Sequence, residues 1–399
     1  MTSRPLHAVQ LPPSDGERIL AALAAAIDGS GPAILPLDPG LPEAALARTL
    51  AAFAPTTIET PAGTRTLRVT PSGATPPVLA DETAVVIATS GSTGVPKGVQ
   101  LSAAALTASA AASLRRIGAR PGERWVCCLP TFHISGIGVL VRSLLTGSDP
   151  LITQSVSPDL LASSGCANVS LVPTQLRRLL DAGCAPGPVK TVLLGGAATA
   201  DSLLAEARAA GWPVITTYGT SETCGGCVYS GVPLDDVRLR FGTGGQIELA
   251  GPVLFSGYLG QPGLTAAALD AGWFRTSDLG DLAADGRLVV RGRADDVINT
   301  GGEKVVPGEV EAVLGTCDGV ADVVVLGLPD PEWGEAVTAF VVLAADGHVP
   351  EADRLRSAVR DVLPAHAAPR KLVFVPEFPL LPSGKPDKAA LRRIGAERA

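Results

Sequence analysis

Short apolar segments alternate with segments of helical periodicity between residues 84 and 218. The first apolar segment, residues 84–89, is strand-length, and residues 102–117 after it have a helical pattern between Ser102, a good N-cap, and Gly118, a good C-terminal stop. This alternation is typical of a mainly parallel sheet that is covered by helices on both faces. Ligands of such folds bind at the carboxyl ends of the strands. We therefore expect the functional residues in the loops that follow the strands.

The alternation continues along the chain and then changes character. Further strands are predicted at residues 125–129, 169–172, 189–194 and 214–218, and further helices at residues 137–145, 174–180 and 201–210. From about residue 242, segments 245–250, 253–258 and 287–291 resemble antiparallel strands joined by Gly and Asp turns. After Arg293 a smaller α+β unit follows, with Pro307 well suited to be the first residue of a helix.

Composition excludes several classes of function. The formal net charge is −7, and no basic stripe is present, so nucleic-acid binding is not expected. No apolar run reaches the length of about 18 residues that a membrane span requires, and the acidic residues near the N-terminus do not resemble a signal peptide. Cys224 and Cys227 form a single C-x-x-C pair without a second pair at zinc-site spacing. We expect a soluble cytoplasmic protein.

The segment TSGSTGVPKG, residues 89–98, follows the first predicted strand and precedes the first predicted long helix. Its small residues let backbone N–H groups approach phosphate oxygens, its hydroxyls add donors, and its lysine adds charge. It lacks the G-K-[ST] ending of a Walker A loop, which argues against a P-loop NTPase. We predict a phosphate-binding loop made by Thr89, Ser90, Gly91, Ser92, Thr93, Gly94 and Lys97.

Four further motifs follow in order: YGTSET (218–223), WFRTSDLG (273–280), RGRADDVINTGGEK (291–304) and LPSGK (381–385). Together with the loop they resemble the signatures of the adenylate-forming superfamily, which contains acyl-CoA synthetases, nonribosomal adenylation domains and luciferases. The resemblance spans residues 89–385. It implies a large N-terminal domain of layered α/β subdomains with a small antiparallel-sheet subdomain, residues 1–294, and a small mobile α+β C-terminal domain, residues 295–399. It also implies ATP, Mg²⁺ and coenzyme A as ligands.

The resemblance assigns roles to individual residues. Glu222 matches the glutamate that binds Mg²⁺, and Asp278 matches the aspartate that binds the ribose hydroxyls. Lys385 matches a mobile lysine that bridges carboxylate and phosphate oxygens during adenylation. The remaining ATP contacts implied are Gly195, Gly196, Ala197, Tyr218, Gly219, Thr220 and Arg293.

A rotation of the small domain is also implied. Asp295 matches the hinge position of the superfamily. One orientation brings Lys385 to the active site, and the other brings the turn that contains Gly301, Gly302 and Lys304 to the coenzyme A side for thioester formation.

The segments LPTFHISG (129–136) and SLVPTQLRRLL (170–180) bear on the acid that is activated. With the YGTSET region they resemble most the o-succinylbenzoate–CoA ligases of menaquinone biosynthesis, in which the histidine matched by His133 lines the acyl pocket and gates the coenzyme A tunnel. That substrate is a dicarboxylate, so its spare carboxylate needs a polar or cationic partner. Candidates are His133, Ser135, Gln175, Arg178 and Ser221, among which the sequence does not choose.

Two alternatives remain open. One is another aryl- or acyl-CoA ligase, and a second is a stand-alone adenylation enzyme that loads a carrier protein. A third, a non-catalytic nucleotide-binding regulator, is disfavoured because Glu222, Asp278 and Lys385 are all present. The region before the phosphate loop is shorter than is usual in the superfamily, so the first subdomain is expected to be trimmed. A homodimer is compatible with the sequence but not required by it.

Overall fold

The computed structural model of the chain describes residues 4–67, 77–89, 96–344, 349–381 and 384–397. In chain order the strands are β1 (Leu6–Val9), β2 (Ala33–Pro36), β3 (Thr57–Thr60), β4 (Gly63–Thr66), β5 (Thr83–Thr89), β6 (Lys97–Ser102), β7 (Trp125–Cys127), β8 (Leu151–Ile152), β9 (Asn168–Leu171), β10 (Thr191–Leu194), β11 (Val214–Thr220), β12 (Gly225–Tyr229), β13 (Val232–Pro233), β14 (Arg238–Phe241), β15 (Gln246–Ala250), β16 (Gly257–Tyr258), β17 (Leu269–Asp270), β18 (Trp273–Leu282), β19 (Leu288–Arg293), β20 (Ile298–Thr300), β21 (Glu303–Val305), β22 (Val320–Asp330), β23 (Gly334–Leu343) and β24 (Lys371–Val375). The helices are α1 (Gly16–Asp28), α2 (Glu43–Phe53), α3 (Ala103–Ile117), α4 (Ile134–Thr146), α5 (Pro158–Ser164), α6 (Pro173–Asp181), α7 (Asp201–Ala209), α8 (Pro262–Ala268), α9 (Pro307–Leu314), α10 (Ala352–Val362) and α11 (Lys388–Glu397).

Two seven-stranded sheets make up most of the chain, where the sequence pattern predicted one mainly parallel sheet. The first has the order β16-β6-β5-β2-β1-β3-β4 and the second the order β13-β12-β11-β10-β9-β7-β8. In the second sheet, β8, β7, β9, β10 and β11 are parallel, and β12 and β13 are antiparallel. A single core cluster joins the sheets, because helices α1, α3 and α4 bury residues such as Leu23, Leu106 and Leu140 between them.

The ends of α3 confirm the predicted helix to within one residue. The Ser102 side chain accepts a hydrogen bond from the Ala105 N–H at 3.0 Å, which satisfies one of the unpaired donors of the first turn. Gly118 ends the helix in the left-handed conformation, with φ of 65°, a backbone state that suits glycine.

The structure corrects the setting of the phosphate loop. The segment was expected to connect a strand to a helix, but Lys97–Ser102 forms β6, which pairs antiparallel with β5. The loop therefore closes a β-hairpin, and the helix begins only after the returning strand. Residues 90–95 lie outside the described residues, so the predicted contacts of Ser90, Gly91, Ser92, Thr93 and Gly94 remain predictions.

A second correction concerns residues 253–258, which were predicted as a strand of the small antiparallel sheet. Only Gly257–Tyr258 is a strand, and it pairs with β6 at the edge of the first large sheet. The small sheet instead has the order β14-β15-β18-β17, with β19 paired to β18. The segment crosses between subdomains and therefore contributes side chains to both.

A fourth sheet, with the order β21-β20-β23-β22 and with β24 paired to β23, lies after Arg293 and packs with α9, α10 and α11. It contacts the preceding part of the chain at several points. The Thr174 hydroxyl donates to the Gly384 carbonyl at 3.4 Å, and Arg291 donates to the Glu309 carboxylate at 3.4 Å. None of the helices in the described residues combines the length and apolar character that a membrane crossing requires.

Candidate active site

The parallel strands of the second sheet deliver several predicted ATP contacts at their carboxyl ends. Strand β10 ends at Leu194 and is followed by Gly195, and β11 carries Tyr218, Gly219 and Thr220. A side chain at Gly195 would collide with the neighbouring Thr217 on β11, so only glycine permits this close approach of the loop to the strand. Gly196 and Ala197 follow and are exposed.

A short helical turn, Ser221–Thr223, follows β11 and presents Glu222. Thr223 closes the turn, because its hydroxyl accepts from the Thr220 N–H at 2.9 Å and donates to the Gly225 carbonyl at 2.8 Å. The Glu222 carbonyl accepts a further hydrogen bond from the Phe255 N–H at 2.8 Å. The backbone that carries the candidate metal ligand is therefore fixed on both sides.

Asp278 lies among polar partners that match a ribose-binding role. The Tyr218 hydroxyl donates to Asp278 Oδ2 at 2.8 Å, and Arg293 Nη1 lies 3.6 Å from Asp278 Oδ1. Burial raises the pKa of Asp278, whereas the hydrogen bond from Tyr218 and the charge of Arg293 act in the opposite direction. Because Asp278 pairs with Arg293 across β18 and β19, the two predicted nucleotide contacts are set by strand register. Arg293 Nη2 also donates to Asp295, the predicted hinge residue, at 2.9 Å.

The surroundings of Glu222 fit a magnesium ion held together with phosphate. Tyr258 donates its hydroxyl to Glu222 Oε1 at 2.9 Å, and within the described residues no hydrogen bond engages Oε2. Nearby on the same motif, the Thr220 hydroxyl is buried and has no partner among the described residues. An available carboxylate oxygen is the ligand type that Mg²⁺ takes alongside phosphate oxygens and water.

Lys385 reaches this site from the last domain. Gly384, the residue before it, lies against the Val172 side chain and has a φ of +77°. The contact with Val172 holds the lysine segment against the N-terminal part of the chain. Burial and the charge of Arg293 lower the pKa of Lys385, and the charge of Asp278 opposes them. The ammonium is thus within electrostatic reach of the Asp278 carboxylate.

His133 also lies within electrostatic reach of that ammonium. It is the N-cap residue of α4, and its ring centroid lies 4.6 Å from that of Phe132. Burial lowers the pKa of His133, and the Lys385 charge lowers it further, whereas Asp38 raises it. The Lys385 charge therefore influences both His133 and Asp278.

Arg142, on α4, is a candidate acid-binding residue that the sequence analysis did not identify. Its guanidinium carbon lies 4.5 Å from the Trp125 ring centroid, and Nη2 donates to the Ser170 hydroxyl at 3.1 Å. Its Nε is buried without a partner, and no carboxylate pairs with Arg142 within the described residues. Burial lowers the pKa of Arg142, because the charged form lacks solvent.

The Arg142 side chain extends along α4 toward the end of the helix that His133 caps. Helical side chains lean toward the N-terminus of their helix, and Arg142 Nη1 lies near Gly138, one turn closer to His133. A signal was present in the sequence, because Arg142 is the one charged residue of α4, in an otherwise apolar helix that begins next to His133.

The other predicted acid-pocket residues differ in their burial and hydrogen bonding. Ser135 and Ser221 are partly buried next to His133 and Glu222, respectively. The Gln175 amide is engaged by the backbone, because Nε2 donates to the Cys128 carbonyl at 3.2 Å and Oε1 accepts from the Val172 N–H at 3.1 Å. Arg178 is exposed on α6.

The remaining predicted residues lie at the edges of the site. Thr89 ends β5 and Lys97 begins β6, where the lysine ammonium lies 5.7 Å from the Tyr258 ring centroid. Gly301, Gly302 and Lys304 are exposed at the turn between β20 and β21. Their predicted role toward coenzyme A belongs to the other domain orientation.

Comparison with known proteins accords with this geometry. Residues 17–248 match the AMP-binding enzyme family, and residues 309–385 match the AMP-binding enzyme C-terminal domain. A protein of Mycobacterium tuberculosis named "Probable 2-succinylbenzoate--CoA ligase" is 44% identical over 332 residues, which cover 79% of this chain and 86% of that protein. The 2-succinylbenzoate–CoA ligase of Bacillus pumilus is 34% identical over 342 residues, covering 79% of this chain and 70% of that protein.

Solved structures of similar fold match nearly the whole length of this chain. The o-succinylbenzoate CoA synthetase of Bacillus subtilis, in complex with its acyl-adenylate intermediate, matches with a TM-score of 0.81 and 26% identity, covering 98% of this chain and 89% of that one. An amide bond synthetase of Marinactinospora thermotolerans matches with a TM-score of 0.85 and 27% identity, covering 99% of this chain and 90% of that one. The predicted superfamily and fold class are confirmed. The chain therefore belongs to the AMP-binding enzyme family.

Proposed function

We propose that this chain is an acid–thiol ligase that converts 2-succinylbenzoate, ATP and coenzyme A into 2-succinylbenzoyl-CoA, AMP and pyrophosphate. The observation that carries the choice of acid is the partly buried guanidinium of Arg142, whose buried Nε has no hydrogen-bond partner and which has no acidic partner among the described residues. The names of the relatives at 44% and 34% identity support the same substrate.

In the first half-reaction the aliphatic carboxylate of the acid attacks the α-phosphate of ATP, and pyrophosphate leaves. Because both reactants are anions, the barrier falls when fixed cations face the developing charge. Lys385 supplies such a cation, within electrostatic reach of both His133 and Asp278. Tyr218 and Asp278 orient the ribose, and Mg²⁺, when bound through Glu222, neutralises phosphate oxygens.

The second half-reaction transfers the acyl group to the thiol of coenzyme A. The sulfur attacks the acyl carbonyl, the bond to AMP breaks, and the thiol proton leaves. We propose that residues 295–399 rotate about Asp295 for this step, which withdraws Lys385 and brings Gly301, Gly302 and Lys304 to the site. In the orientation described above, burial and the Lys385 charge lower the pKa of His133, which favours its neutral imidazole during adenylation.

Arg142 explains how the second carboxylate of the substrate is held. A buried carboxylate without a partner is costly, and so is a buried guanidinium without one. The spare carboxylate and the Arg142 guanidinium can therefore each serve as the partner that the other needs. An arginine with a free donor binds a carboxylate through charge-assisted hydrogen bonds. A simple fatty acid would leave Arg142 unpaired and would be rejected.

Three further statements remain proposals. The domains divide at residues 294 and 295, near the point where the third sheet ends at Arg293 and the fourth begins at Ile298. Limited proteolysis that cuts elsewhere first would contradict this boundary. We also propose cytoplasmic location, where ATP and coenzyme A are available, and a homodimer, which fractionation and sedimentation velocity would test.

The decisive experiment is acid-dependent exchange of pyrophosphate into ATP. We expect exchange with 2-succinylbenzoate and little with benzoate or palmitate. Strong exchange with palmitate and none with 2-succinylbenzoate would contradict the substrate. Acceptor preference is tested separately with coenzyme A, a phosphopantetheinyl carrier protein and simple amines, because the amide bond synthetase shares this fold. We expect coenzyme A to be the preferred acceptor.

A further inference from the structure

Tyr258 lies between two parts of the candidate site, although it belongs to none of the motifs found in the sequence. Its hydroxyl donates to Glu222 Oε1 at 2.9 Å, and its ring lies beneath the Lys97 ammonium at 5.7 Å. The residue is 7% exposed. A buried phenol that contacts both the candidate metal ligand and the lysine after the phosphate loop is more than a packing residue.

The position of Tyr258 is fixed from several directions. Strand pairing sets it opposite Val99 on β6, and its N–H donates to the Thr265 hydroxyl at 2.9 Å. The Phe255 ring packs edge-on against its ring, with centroids 4.9 Å apart. Its hydroxyl therefore has little freedom to move away from Glu222.

Glu222 is consequently held at two points by one short segment. The Phe255 N–H donates to its carbonyl, and the Tyr258 hydroxyl donates to its carboxylate. With Oε1 engaged, the carboxylate cannot rotate freely about its last torsion angle. Oε2 is left as the oxygen available to a cation.

We infer that Tyr258 is a positioning residue: its hydroxyl orients Glu222 so that one carboxylate oxygen faces the divalent cation of the ATP complex. Partners of this kind orient metal ligands, and their loss weakens metal binding by about 10- to 100-fold. The inference rests on the proposed use of ATP with a divalent cation, but not on the identity of the acid.

The test measures cation binding without catalysis. Mn²⁺ is titrated, with detection by electron paramagnetic resonance, into the full-length protein in the presence of α,β-methylene-ATP. We expect Tyr258→Phe to weaken Mn²⁺ binding by about 10- to 100-fold. The affinity for 5′-O-sulfamoyladenosine, an adenylate analogue without an acyl group or a β- or γ-phosphate, is expected to stay unchanged.

Tyr229→Phe is the matched control. Tyr229 is also buried, at 3% exposure, and its hydroxyl lies 2.7 Å from the Ser113 hydroxyl, away from the metal ligand. The same chemical change there is expected to leave Mn²⁺ affinity at the wild-type value. A Glu222→Asp background adds a second test, because the shorter side chain cannot keep the bond to Tyr258, so Tyr258→Phe is expected to add no further loss.

Three results would overturn the inference: wild-type Mn²⁺ affinity in Tyr258→Phe, an equal loss of Mn²⁺ and analogue binding, or additive losses in the Glu222→Asp background. The second would show that Tyr258 only supports the local fold. None of these measurements contains 2-succinylbenzoate, so a failure of the proposed acid in pyrophosphate exchange is recognised separately.

Discussion

Replacing Arg142 by methionine tests the acid-binding role of α4. The change keeps an unbranched apolar stem but removes the guanidinium, of which Nη2 already binds Ser170 while Nε has no partner among the described residues. Under the proposed function, the free donor binds the spare carboxylate of the acid. A hydrogen bond to a charged group contributes about 1.5–3 kcal/mol. Losing one such bond lowers kcat/KM by about 10- to 160-fold.

The assay compares two acids that differ only in the spare carboxylate, 2-succinylbenzoate and 4-oxo-4-phenylbutanoate. We expect Arg142→Met to lower kcat/KM for the first by about 10- to 160-fold and to leave the second nearly unchanged. Stability is expected to change little, because the lost contact with Trp125 and the relieved burial of charge oppose each other.

Arg178→Met is the matched control, since Arg178 is exposed on α6 and was an equal candidate on sequence grounds. It is expected to affect neither acid. If Arg142→Met lowers kcat/KM equally for both acids, the guanidinium supports the pocket rather than the spare carboxylate. If it changes neither acid, Arg142 does not contact the substrate at all. Either result would refute the reasoning.

Two further predictions concern the C-terminal domain. Lys385→Ala is expected to abolish pyrophosphate exchange but to leave thioester formation from preformed 2-succinylbenzoyl-AMP largely intact; equal loss of both half-reactions would contradict the domain rotation. Burial raises the pKa of Glu311 to about 7, above its ordinary value of 4.5. The folded chain therefore binds a proton at Glu311 more tightly than the unfolded chain does. The contribution of this proton to the free energy of unfolding is fully present below pH 4.5 and is lost as the pH rises through 7. Glu311→Gln keeps an acceptor for the Val325 N–H. We expect this change to raise the free energy of unfolding at pH 8 by up to about 3 kcal/mol and to have little effect at pH 5, as measured by denaturant titration. An equal effect at both pH values would contradict the prediction.

Much of the fold and of the candidate nucleotide site could be predicted from local sequence. Helix α3 was predicted from its cap and stop residues, which act within one turn. Glu222, Asp278 and Lys385 were found because each lies in a short motif. The structure brings Asp278 and Lys385 within electrostatic reach of each other although more than a hundred residues separate them.

What escaped prediction depends on contacts between distant segments. Residues 253–258 are apolar enough for a strand, but only pairing with β6 decides that Gly257–Tyr258 alone forms one. The same pairing brings Tyr258 to Glu222, 36 residues away in the chain. Gln175 resembled a substrate contact until the structure showed that the backbone uses its amide. Periodicity reports which face is buried and cannot report which partner covers it.

The position of Arg142 has a consequence for redesign. The proposed acid determinants His133, Ser135 and Arg142 lie on α4 or at its N-cap, whereas the proposed nucleotide contacts come from other elements, among them β11, β18, β19 and the C-terminal domain. Exchange of one helix therefore offers a way to change which acid is accepted while the machinery for ATP is left in place. A library confined to residues 133–146 would sample new aromatic acids without rebuilding the enzyme.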